Sequence, residues 1–139
     1  MPYRIEASAV DAPVCILLVT SRDTKRWVIP KGNVGAGQSP HAAAAEEAEE
    51  EAGVRGAVSK KPLGSYCYGK RLANGDWVVI DVDVFPLEVT KELAEWKEQG
   101  ERERKWFSLD EAASAVEEPD LRGLILSFGK QLQSGKHGR

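Results

Sequence analysis

Apolar and polar positions alternate in short blocks along most of the chain, the pattern of strands and turns, with one long helical stretch in the first half. Residues 13–20, PVCILLVT, form an unbroken apolar, β-rich run and predict a buried strand. The polar residues 21–25 predict a turn, and residues 26–30 a second short strand with Trp27 as a core anchor. A glycine-rich loop follows over residues 31–38, with Gly32, Gly35 and Gly37 allowing close backbone approach. Residues 39–52 predict a helix. Ser39 suits the N-cap, Pro40 falls at the first helical position, four alanines favour helix, and Gly53 is placed to end it in the left-handed conformation.

The remaining segments are read in the same way. Residues 3–9 predict an edge strand or an irregular lead-in. Residues 54–68 predict a strand pair broken near Lys60-Lys61-Pro62, and residues 77–89 a further strand whose second half alternates. Between them, Asn74-Gly75 is a hairpin turn signal. Residues 92–100 predict a charged loop or a turn of helix, and residues 101–108 a strand bearing Trp106 and Phe107. Residues 109–116, with Ser108 as a candidate cap, and residues 119–132 predict helices. Residues 133–139 predict a frayed tail. Trp27, Trp77 and Trp106 are expected in the core. Strands interleaved with one central helix and closing helices predict an α/β fold, an α/β/α sandwich around a mixed sheet.

The 139 residues suffice for one domain with a real core, so residues 1–139 are expected to form a single domain. A net charge of −3 argues against bulk attraction to nucleic acid polymers or anionic membranes. No stretch approaches membrane-spanning length and no secretory leader opens the sequence, so a cytoplasmic protein is expected. The two cysteines, Cys15 and Cys67, lack metal or redox spacing and read as free buried thiols.

The candidate chemistry lies in the predicted helix. At helical spacing Glu47, Glu50 and Glu51 project together, while Ala45, Ala48 and Ala52 form a flat side that can pack on a sheet. Like charges four apart repel, and no lysine or arginine in the helix offsets them. The face is either a solvated acidic surface or a site for a hard divalent cation, Mg2+ or Mn2+, whose preferred ligands are oxygens.

In register, Gly32, Glu47, Glu50, Glu51, Gly53 and Val54 match a long fixed pattern, and the chain so resembles the Nudix hydrolase family and its Nudix box. Three positions depart from that pattern. Gln38 stands for its first glutamate, Glu46 for its arginine and Ala48 for a larger aliphatic residue. A hydrogen bond between Gln38 and Glu46 would replace the family's salt bridge. TSRDTKRWVIPKG, EEAGVRG, DVDVFPLEV and GERERKWFSLDEA are similar to the diphosphoinositol polyphosphate phosphohydrolase-like branch.

The resemblance implies the Nudix fold and Mg2+-dependent cleavage of a phosphoanhydride bond in a diphosphoinositol polyphosphate or dinucleoside polyphosphate type of substrate. It implies Glu47 and Glu51 as metal ligands, with Gly32 contributing backbone, and Glu50 as general base or further ligand, the division between Glu47 and Glu50 as base being open. Arg22 and Arg102 are implied phosphate contacts, and Lys31 lies in the same basic cluster. The expected partner is a small phosphoanhydride, and the expected assembly a monomer or homodimer. A catalytically weakened binding or sensing module is the competing reading, motivated by Gln38 and Glu46.

Overall fold

The computed structural model describes residues 1–6, 13–32 and 34–137, with side chains to residue 132. The elements in chain order are β1 (Pro2–Ile5), β2 (Val14–Thr20), β3 (Trp27–Val28), α1 (Pro40–Ala52), β4 (Val54–Val58), β5 (Gly64–Arg71), β6 (Trp77–Val84), β7 (Leu87–Glu92), β8 (Arg104–Ser108), α2 (Leu109–Ala115) and α3 (Pro119–His137). The expectation for residues 7–9 lies outside the described residues.

β2 is the spine of a six-stranded mixed sheet. It pairs antiparallel with β8 along one edge and with β1 and β3 along the other. β1 continues the sheet by a parallel pairing to β7, which pairs antiparallel with β4. β5 and β6 form a separate antiparallel hairpin through the expected Asn74-Gly75 turn.

Because β2 is apolar at nearly every position, it feeds both faces of the sheet. Ile16 and Leu18 join Phe107, Leu121, Ile125 and Phe128 under α2 and α3. Leu17 and Val19 join Val28, Ala48 and Ala52 under α1. The alanine side of α1 is therefore its buried side, which turns the glutamates away from that core. This is the α/β/α sandwich expected from the element order.

Several local expectations are corrected. Ser39 sits at the N-cap with extended backbone, but its hydroxyl makes no capping bond and lies 3.5 Å from His41 Nε2. Ser108 does form a full capping box with Glu111. The predicted strand over residues 77–89 is two strands in different sheets, parted at Phe85-Pro86, since proline cannot donate to a ladder. Trp77 is not a core residue. It is 66% exposed on the outer face of the hairpin, beside Val79 at 74%. Cys67 is exposed too, its thiol donating to Asp81 at 2.7 Å. The backbone of α3 stays helical to His137, through residues expected to fray. Among the described residues no helix is long and apolar enough to cross a membrane.

The C-terminus of α1 is held by residues distant in sequence. A helix end leaves its last carbonyls without intrahelical donors. Here Glu49 O accepts from Gly53 N–H and Glu50 O from Glu98 N–H, both at 3.0 Å. Glu51 O accepts from the Trp96 indole at 3.2 Å, and Ala52 O and Gly53 O from Arg104 Nη1 at 2.9 and 3.0 Å. The Arg104 guanidinium lies 3.9 Å from the Trp96 ring centroid and places positive charge at the negative end of the helix dipole. Gly53 has φ +66°, and a Cβ there would come within 2.6 Å of Trp96 Cε3.

Gly53→Ala should therefore lower the unfolding free energy by about 2–4 kcal/mol, from a left-handed residue plus overpacking against the indole. Urea denaturation checks this. A loss of only about 1 kcal/mol would mean that the indole yields freely and does not fix the helix end.

Candidate metal and phosphate site

The site forms where the loop after β3 meets the last two turns of α1. Residues 29–32 leave the sheet edge and run against the glutamate face. The Lys31 N–H donates to Glu51 Oε1 at 3.3 Å. A Cβ at Gly32 would sit 2.5 and 2.8 Å from the two oxygens of Glu47, so only glycine lets this carboxylate lie against the loop backbone.

Glu47 and Glu51 thus converge on adjacent residues of the loop backbone, Glu47 on Gly32 and Glu51 on the Lys31 N–H. Glu51 is 5% exposed. Burial first, then the hydrogen bond with Glu47, pushes its pKa up to about 8, against the opposing pull of Arg102. Two carboxyls converging on a glycine backbone suit a hard divalent cation, which would replace the proton and offset the repulsion. Backbone oxygens of the loop are of the right chemical kind to add to the set. Among the described residues no three acidic, histidine or cysteine side chains converge as a ready-made cation site. Glu50 stands apart from the other two, with its carboxylate 3.2 Å from Lys97 Nζ.

The neutral link foreseen between Gln38 and Glu46 is present. Gln38 Nε2 donates to Glu46 Oε2 at 2.7 Å, and its Oε1 accepts from Gly35 N–H at 3.0 Å. One amide thus ties the loop to the helix, since it carries both a donor and an acceptor.

The basic candidates separate into distinct settings. Arg102 is nearly buried, donating through Nε to Glu98 at 2.8 Å and through Nη1 to Thr20 O at 3.1 Å, with Nη2 3.9 Å from Glu51. It is the basic side chain set against the carboxyl pair. Lys31 places Nζ 4.9 Å from the Tyr68 ring centroid, and burial lowers its pKa, with Glu51 opposing. Arg22 is exposed and pairs with Glu101 at 3.3 Å. Arg104, adjacent in the same basic segment, is spent on the end of α1 as described. Arg26 pairs with Glu118 at 2.8 Å.

Beside Arg102 the surface opens into two adjoining grooves. One, of about 560 Å³, is bordered by Trp27, Trp96, Gln99 and Lys105. The other, of about 410 Å³, is bordered by Thr20, Lys25 and Glu101. Both include Arg102, so cationic groups lead from open surface toward Glu51. Sequence reading missed Glu98, which neutralises Arg102, and Tyr68, which backs Lys31. Neither carries a local signal, because each acts across the fold.

The raised pKa of Glu51 has a definite sign. The folded state holds a proton that the unfolded chain, with an ordinary glutamate near 4.5, releases. Stability in the absence of divalent metal is therefore favoured below pH 4.5 and falls as pH rises toward about 8. Thermal melts in a chelator from pH 5 to 9, compared with Glu51→Gln, should show this fall in the wild type and its absence in the variant. Equal slopes would mean that Glu51 titrates normally.

Comparison with known proteins places this geometry. A family model described as the NUDIX domain matches residues 8–128. Nudix hydrolase 4 of Arabidopsis thaliana is 33% identical over 132 residues, covering 92% of this chain and 62% of its own length. Diphosphoinositol polyphosphate phosphohydrolase 3-alpha of Mus musculus is 30% identical over 104 residues, covering 73% and 59%. The chain thus spans about three-fifths of the length of these curated relatives. Among solved structures, a C. elegans Ap4A hydrolase superposes with a TM-score of 0.64 at 20% identity, over 94% of this chain and 92% of that one, a likeness of fold.

Proposed function

The chain belongs to the NUDIX domain family, and from that premise we propose that its site hydrolyses a phosphoanhydride bond in a phosphate-rich small molecule. The observation that carries the proposal is the convergence of the Glu47 and Glu51 carboxyls on adjacent residues of the loop backbone, with Arg102 Nη2 3.9 Å from Glu51. The relatives' names point to diphosphoinositol polyphosphates or dinucleoside polyphosphates as the substrate type.

In this reading Glu47 and Glu51 would hold Mg2+ or Mn2+, with help from the backbone at Gly32. The bound ion would neutralise phosphate charge and make a water acidic enough to attack. The chain's own groups do the rest. Arg102 holds a phosphate oxygen near Glu51 while Glu98 and Thr20 O fix its orientation. Lys31 supplies a second cation from the loop, and Arg22 reaches phosphate from the turn after β2. Glu50, which stands apart beside the exposed Lys97, would have to leave that pairing to take the proton of the attacking water or to serve as a further ligand. The whole of residues 1–139 forms one such domain, acting as a monomer or homodimer in the cytoplasm.

The competing reading, a binding or sensing module, draws on the missing salt bridge between loop and helix. The Gln38–Glu46 bond at 2.7 Å keeps a link in that place, which favours the enzyme.

A panel of dinucleoside polyphosphates, diphosphoinositol polyphosphates and nucleoside triphosphates, assayed with Mg2+, tests the proposal. Turnover of at least one class is expected. Glu50→Gln should reduce kcat by about 10²–10⁴ if Glu50 is the base. Folded protein without metal-dependent turnover on any class would overturn the hydrolase reading. A large rise in rate on restoring Gln38→Glu with Glu46→Arg, from a near-zero start, would favour the binding module.

A further inference from the structure

We propose that the chain associates with a second copy of itself through β6, the two strands pairing antiparallel so that two hairpins become one four-stranded sheet. The inference goes beyond the hydrolase reading and stands on residues outside the candidate metal and phosphate site.

The hairpin has an open edge. β5 begins against α3, where a Cβ at Gly64 would sit 2.7 Å from Leu124 Cδ2. β6 pairs with β5 alone among the described residues. The carbonyls of Asp76 and Val84, at the two ends of β6, accept from Leu72 and Leu63 N–H, each at 2.8 Å. Backbone groups alternate in direction along an antiparallel strand. The even-numbered residues of β6 therefore bond to β5, and the N–H and C=O groups of Trp77, Val79, Asp81 and Asp83 point outward.

Such an edge is a template for another strand unless a bulge, a proline or a lysine blunts it. β6 has none of the three. It reads WVVIDVDV and pairs with β5 over eight consecutive residues without a shift in register. Trp77 and Val79 also leave an apolar patch in water on the outer face, at 66% and 74% exposure.

The occupant follows from the order of side chains along the strand. A two-fold interface must be complementary to itself. When β6 is reversed against its own copy about Val79, that valine meets its counterpart. Val78 then stands opposite the second copy's equivalent of Ile80, and Trp77 opposite that of Asp81. The indole N–H donates and a carboxylate accepts, so the last pairing is complementary. Arg71, the cross-strand neighbour of Trp77 and 5.9 Å from its ring centroid, adds positive charge beside the same carboxylate. The tip of the outer face is thus apolar and basic, and its root, at Asp81 and Asp83, acidic. Reversal sets opposite ends together, whereas a parallel pairing would set like carboxylates side by side.

One strand from each copy is a small seam, so the dimer should be weak, with a Kd on the order of 10–100 µM. Sedimentation equilibrium below and above that concentration should show the mass doubling. Amide hydrogen exchange at Trp77, Val79 and Asp81 should slow at least about tenfold at the higher concentration. Val79→Lys sets two ammonium groups face to face on the axis and should weaken association at least about tenfold. Should that variant fail to fold, Trp77→Ser removes the indole and should show the same loss. A monomer at every concentration, leaving the edge open or to a different chain, overturns the proposal. So does a dimer that a folded variant leaves intact, or one in which those three amides exchange as freely as in the monomer, because another surface would then hold it. None of these readouts involves turnover, so a failure of the hydrolase reading leaves them unchanged.

Discussion

Two carboxyl groups, Glu47 and Glu51, are held against adjacent residues of one loop, and much of the architecture serves to keep them there. Left to themselves, charged side chains four apart on a helix separate into solvent. Here the missing side chain at Gly32 lets the loop press on Glu47, and the Lys31 amide holds Glu51. Burial makes a proton the resident of the pair when no cation is present. The site is thus unfavourable by construction in its empty charged form, as expected of groups arranged for a ligand rather than for stability.

Such a pair needs a rigid mount, because a small rotation of α1 would draw both carboxyls away from the loop backbone at Lys31 and Gly32. The helix is fixed on its flat side by Ala48 and Ala52 against Leu17 and Val19. It is fixed at its end by the residues between Leu93 and Arg104, which donate to every carbonyl from Glu50 to Gly53. That segment also carries Glu98 and Arg102, so the strap that closes the helix brings the phosphate-facing cation with it. Helix end, Arg102 and the mouths of both grooves are therefore one mechanical unit.

The parts legible in sequence are those set by local chemistry. The apolar run of β2, the proline and glycine bounding α1, the Asn74-Gly75 turn and the Ser108 capping box each declare themselves within a few residues. Gly32 was legible through its spacing from Glu47. What sequence concealed are pairings across the chain. Arg104 and Arg102 sit two residues apart and look alike, yet one serves a helix end and the other faces a carboxylate. Nothing near Arg26 in the sequence announces its ion pair with Glu118 at 2.8 Å. Trp77 looked like core because tryptophan usually is, but its strand belongs to a hairpin whose outer face is covered by no layer among the described residues.

The most direct test of the central carboxyl pair is proton release on metal binding. Mn2+ titrated by calorimetry at pH 7, in two buffers of different ionisation enthalpy, yields the number of protons displaced. With the Glu51 pKa near 8, binding at pH 7 should release close to one proton, and Glu51→Gln should release none and bind far more weakly. Tight binding by the wild type with no proton released, or equal affinity in the variant, would contradict a carboxyl pair that holds a proton until a cation takes its place.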